Sequence, residues 1–187
     1  MGETGVSPAA FREAFEIAKT AYVHEDIVRP EVLRTARNRF VRQMVDRLVL
    51  LERARELGLR IPDAELERAV DAARAGYPDG AFERTLLESA ISFETWKEEL
   101  RIRLLMERTV ETDLAARVSV TEAEVEAFLR TEEAPEDPEE AGRMLRRDKV
   151  EATYETWLTE LRERYPVEIN IPDAAEAVGT TPREPSP

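Results

Sequence analysis

The chain has 187 residues, 42% of them hydrophobic and 36% charged; 27 Lys and Arg against 40 Asp and Glu give a formal charge of −13. That length suits one domain with room for an appended element, and allows a real core without disulfides or metal. The absence of Cys excludes disulfides, thiolate catalysis and Cys-ligated metals; the acidic balance disfavours nucleic acid and anionic membranes; and no apolar run approaches the roughly 18 residues of a membrane span.

Ser7 and Pro8 read as an N-cap followed by Pro at the first helical position, opening a helix to about Tyr22 with Phe11, Ala14, Phe15 and Ala18 on one side. His24 to Arg29 is a connector. Pro30 opens a long helix to about Leu57, with Leu33, Ala36, Phe40, Val41, Met44, Val45, Leu48, Leu51 and Leu57 on one broad apolar face. Gly58 ends it as a left-handed cap residue. Asp63 is expected to cap a helix over 64–75, Tyr77 to Gly80 to form a turn, and 81–89 to form a short helix. Ser92 caps a long helix that carries Phe93, Trp96, Leu100, Leu104 and Leu114 along a face. Thr121 and Glu124 form a capping box for a helix to about Arg130. Thr131 to Asp137 reads as an acidic loop. Asp137 and Pro138 start the last helix, to about Arg164, with Val150, Tyr154, Trp157, Leu161 and Tyr165 on one stripe. Residues 167–171 alternate like a short strand, and 172–187 reads as a disordered tail.

The fold class is thus all-α: a single domain over 1–171, with N-terminal helices over 8–130, a returning C-terminal helix and strand over 138–171, and the tail after it. The basic residues are nearly all Arg and gather between Arg29 and Arg60. Either they form a local basic stripe or, more plainly, a solvated helix face with i,i+4 ion pairs.

Signatures of chemistry are missing. No Gly-rich phosphate loop is present. The single His24 sits beside Glu25 and Asp26, but adjacent loop side chains rarely converge on a metal, and no nucleophile elbow accompanies it. No cofactor, metal or catalytic residue is assigned, and no enzymatic activity is expected. Trp96, Trp157 and the Met residues have two readings: core, or lining of a groove that adapts to varied apolar ligands.

Several runs taken together resemble the SurA-type chaperone domain: MVDRLVLLERARELGL at Met44–Leu59, IPDAEL at Ile61–Leu66, Phe82 to Leu87, SFETWKEELRIRLL at Ser92–Leu105, VSVTEAEVEAF at Val118–Phe128, and YETWLTELR at Tyr154–Arg162 with Val167 to Ile169. The resemblance covers about 33–171. It implies an extracytoplasmic, periplasm-type, ATP-independent holdase that shields unfolded or extended polypeptide clients. No signal segment is recognisable in the chain. Such relatives commonly carry a parvulin prolyl isomerase domain between the last two helices. Here Thr131 to Asp137 joins those helices directly, with far fewer residues than a domain needs, so isomerase activity is not carried over. The family's opening strand is also reduced, to Gly5 and Val6, which leaves open a homodimer formed by swapping. Candidate client-binding residues are Phe40, Met44, Phe93, Trp96, Met106 and Trp157, in a cleft between the first helices and the last. The alternative reading is a structural or assembly subunit with one specific partner.

Overall fold

The computed structural model describes residues 30–131 and 134–167. The helix expected over 8–22, the connector with His24, residues 168–171 of the expected strand and the 172–187 tail lie outside them. Every regular element among the described residues is helical. The α-helices are α1 (Pro30–Glu56), α2 (Asp63–Ala75), α3 (Ala81–Glu88), α4 (Phe93–Thr109), α5 (Glu122–Phe128) and α6 (Pro138–Arg164). The backbone contacts divide the chain into two compact units, Met1–Val49 with Glu160–Pro187 and Leu50–Thr159. Helices α1 and α6 each contribute to both.

In the first unit, α1 has no Gly or Pro after its first residue. Val41, Val45 and Val49, spaced by four, form a ridge that is 2%, 4% and 0% exposed. Such a ridge is the surface that packs into a neighbouring groove. Leu161 on α6 is buried too, and the Arg162 guanidinium donates to the Asp46 carboxylate at 2.7 Å. That long-range bond ties the last turns of α6 to the middle of α1, as the apolar stripe of α6 required.

The second unit holds the rest of the core. Leu50 and Ala54 are the buried positions of α1 here, whereas Leu51 and Leu57, expected on the apolar face, are half-buried. Ile61, Leu66, Val70 and Leu100 form an apolar cluster between α2 and α4, against which Ala69, Phe93, Trp96, Leu104 and Leu105 pack. Burying a side chain of this size stabilises by about 1.5–3 kcal/mol. Polar clamps close the same seam. Arg101 donates to the Ile61 carbonyl and Asp63, Arg108 to the Arg60 carbonyl and Glu65, and Lys97 to Glu67. These bonds to Glu67 and Glu65 hold the Lys97 and Arg108 cations above their ordinary values and the Glu65 carboxyl below its own.

Local chemistry sets most helix ends as expected. Gly58 has φ +66°, and the Leu59 N–H reaches the Ala54 carbonyl at 2.9 Å, a Schellman-type stop. The Ser92 hydroxyl accepts from the Thr95 N–H at 3.0 Å. Thr121 and Glu124 make the full capping box, and the Asp137 carboxylate accepts from the Glu139 N–H at 3.0 Å. Three details differ. Asp63 does not cap α2: the Pro62 carbonyl accepts the Glu65 and Leu66 N–H groups, so Asp63 is already the first helical residue and its carboxylate turns to Arg101. Helix α3 stops at a left-handed Ala90, φ +52°, where no Gly announces it. The helix after Ser92 is not uniform either. At Val110–Leu114 it widens into a π-helical turn, and a 3-10 turn follows over Ala115–Arg117. The extra residue rotates the register and puts adjacent Asp113 and Leu114 both inside, at 6% and 4% exposure.

Candidate functional site

Two side-chain constellations stand out, both in the second unit. The first is an aromatic corner where α2, α3 and α4 meet. The turn before α3, closed by the Ala81 N–H on the Pro78 carbonyl and by Gly80 at φ +70°, aims Phe82 inward. The Phe82 ring stands edge-on to Trp96, with centroids 4.8 Å apart, and to Phe93 at 6.5 Å. Phe93 and Trp96, three residues apart on α4, stack at 5.9 Å with 22° between planes. Tyr77 closes on the outer edge of Phe82 at 5.5 Å. The Arg74 guanidinium lies over Phe93 at 4.7 Å and over Phe82 at 5.4 Å, a cation over two ring faces.

This corner is graded from core to solvent. Phe82 is buried, Phe93 and Trp96 are half-buried, and Tyr77 is 45% exposed. Leu87 and Ile91, on and just after α3, are exposed at 79% and 40%. The arrangement performs no bond chemistry. It offers partly exposed aromatic rings, which suits contact with apolar segments of another chain.

The second constellation is polar. The Asp113 carboxylate accepts four hydrogen bonds: from Arg53 Nη2 at 2.7 Å and Arg117 Nη2 at 2.6 Å on one oxygen, and from Arg53 Nε at 2.9 Å and Trp157 Nε1 at 2.9 Å on the other. Burial pushes this carboxyl up, but the bonds from Arg53, Trp157 and Arg117 outweigh it and hold the group well below the carboxylate range. The Arg53 cation is raised in turn, chiefly by its bond to Asp113. The π-helical turn therefore creates a satisfied ionic socket for one indole.

Phe93 and Trp96 meet in the aromatic corner. Met106 is half-buried on the last turn of α4, and Trp157 is buried at 3%, its indole committed to Asp113. Phe40 and Met44 are half-buried on α1 in the first unit. Nothing in the sequence pattern assigns Arg74, Tyr77 or Phe82 to a site. The turn before Phe82 was the available signal. Asp113 carries no signal in the sequence: it is one acid among many, and its partner Arg53 lies 60 positions away. Among the described residues there is no cluster of His, Asp or Glu able to hold a metal, and no helix long and apolar enough to cross a membrane.

No protein-family model matches this chain, and no solved structure matches it significantly. Among curated proteins it is similar to chaperones named SurA. It is 36% identical over 98 residues to that of Nitrosospira multiformis, covering 49% of this chain and 22% of the relative. It is 29% identical over 102 residues to that of Methylobacillus flagellatus, covering 51% and 23%. With that of Bordetella pertussis it shares 24% over 124 residues, covering 65% and 24%. The chain thus spans less than a quarter of the length of these relatives, and about half of it or more resembles part of a SurA chaperone.

Proposed function

We propose that this protein is a periplasmic or otherwise extracytoplasmic chaperone that holds unfolded or extended polypeptides without nucleotide and without turning over prolyl bonds. The observation that carries this reading is the similarity to SurA chaperones, which the aromatic corner complements with a surface of fitting chemistry. Apolar client segments lie against Tyr77, Phe93 and Trp96. The mechanism is mass action: a bound client is withdrawn from aggregation. The surrounding negative charge keeps the complex apart from its neighbours. The direct Thr131–Asp137 connection supports the absence of isomerase turnover. No residue is given a catalytic role.

Light scattering of a chemically denatured client on dilution tests this reading. Suppression at a few-fold molar excess, unchanged by adding or removing ATP, is expected for several unrelated clients. No suppression for any of them would overturn the chaperone reading, and tight one-to-one binding of a single folded protein would replace it with that of an assembly subunit. An X-Pro peptide assay should stay at background.

A further inference from the structure

The geometry points to a releasable strap: the part of α6 in the second unit, Pro138–Thr159, opens from that unit while α2, α3 and α4 stay folded. The inference begins with what opening would leave behind. A buried carboxylate stripped of its donors makes local opening very costly. Of the four bonds to Asp113, only the Trp157 indole comes from α6. When it leaves, one oxygen keeps Arg53 Nη2 and Arg117 Nη2, and the other keeps Arg53 Nε. No charge is orphaned, and the departing donor is a neutral N–H that water satisfies.

The ties of Arg146 and Lys149 have the same character. Arg146 donates to the Val118 carbonyl at 2.9 Å, and Lys149 donates to the Ser119 carbonyl at 2.9 Å and to Glu124. These ties lie at the surface, where water replaces them, and Glu124 keeps its capping-box bonds to Thr121. On the early turns of α6, Met144 and Leu145 are only half-buried. Ala141 is buried, and a Cβ added at Gly142 would lie 3.8 Å from a Val125 methyl, so contact there is by close approach alone. The apolar hold is concentrated at Trp157 and Leu158, 3% and 2% exposed. Helices α2 and α4, by contrast, separate only if the Ile61, Leu66, Val70 and Leu100 cluster opens and the backbone clamps of Arg101 and Arg108 break together. A stretch held by two large buried side chains and by surface bonds that water replaces, beside one closed by a four-residue apolar cluster, defines two cooperative elements in one unit.

Native-state hydrogen exchange of the full chain, read by mass spectrometry, tests this. In the wild type, amides of 145–158 are expected to exchange at least about tenfold faster than those of 96–106, the separation that makes them distinct opening units. Trp157→Phe, which removes the indole N–H and keeps an aromatic ring, should speed exchange in 145–158 by about tenfold more, as expected for a lost bond to a charged acceptor. It should leave α2 and α4 unchanged. Trp96→Phe should do the reverse. A common rate for both stretches in the wild type would overturn the strap, whatever the variants do. So would equal acceleration of both stretches by Trp157→Phe, or none in α6.

Discussion

In the α2–α4 region, Ile61, Leu66, Val70 and Leu100 close an apolar cluster with Phe93 and Trp96 packed against it, and the ion pairs lie around its edge. Where α6 docks in the same unit, the centre of the contact is a charge, Asp113, ringed by Arg53, Arg117 and Trp157. The first kind of contact is non-directional and tolerates exchange among apolar side chains of similar volume. The second fixes one geometry, because a buried carboxylate accepts only from donors that reach it. The difference separates the roles: the apolar region has rings to spare for a ligand, whereas the polar one is committed to holding its helix.

The largest effects should come from breaking each region at its centre. Asp113→Ala leaves the Arg53 guanidinium, 11% exposed, without its main counter-charge and is expected to cost about 3–5 kcal/mol in urea unfolding. Replacing the pair together, Asp113→Leu with Arg53→Met, should recover most of that loss. A double variant as unstable as Asp113→Ala would show that the socket is held by something other than charge. Phe82→Ala in the aromatic corner should also cost about 3–5 kcal/mol, and no polar partner change should rescue it.

A smaller change should strengthen the apolar region. Ala90 sits at φ +52°, where a Cβ is strained. Ala90→Gly should therefore stabilise the protein by about 1 kcal/mol, visible as a higher denaturation midpoint. A lower midpoint would mean that the Ala90 methyl makes contacts worth more than the strain.

Acid should act on the α6 side. The Glu124 carboxyl is held down to about 2, from an ordinary 4.5, chiefly by its bond from Lys149 and then by the Thr121 N–H and hydroxyl. The unfolded chain therefore binds the proton more readily. The contribution of Glu124 is present above about pH 4.5 and is lost as the pH falls toward 2. Glu124→Gln should flatten the acid limb of the stability profile over that window, and an unchanged acid limb would remove this link. The smallest effect should be that of salt on the Lys97–Glu67, Arg101–Asp63 and Arg108–Glu65 pairs. These pairs at the edge of the seam are partly screened by added salt, so the midpoint should shift only slightly.

The same contrast explains what could be read in advance. The starts at Ser92, Thr121 and Asp137 and the stop at Gly58 are local devices, each written within a few residues, and they were legible. The apolar stripe of α6 announced a docked helix, and Trp157 and Leu161 are buried accordingly. Ala90 was not legible as a stop, because the backbone closes the helix there, with the Ile91 N–H on the Leu86 carbonyl, at a residue type that ordinarily avoids the left-handed region. Asp113 was hidden for two reasons. Its helix was read at an unbroken α-helical period, and its four hydrogen bonds come from residues 4 to 60 positions away. The aromatic corner was half legible: Phe93 and Trp96 share a helix face, but Tyr77, Phe82 and Arg74 reach them only through the turn that reverses the chain.

The central claim, that unfolded polypeptide is held at the aromatic corner, is tested most directly by site-specific photo-crosslinking. A benzophenone side chain is placed at exposed Tyr77 or, for comparison, at exposed Arg130, and each protein is illuminated with a denatured client. The account predicts abundant client crosslinks from position 77, lost when the client is folded, and few from position 130. Equal yields from both positions, or none from 77 while aggregation is still suppressed, would contradict it.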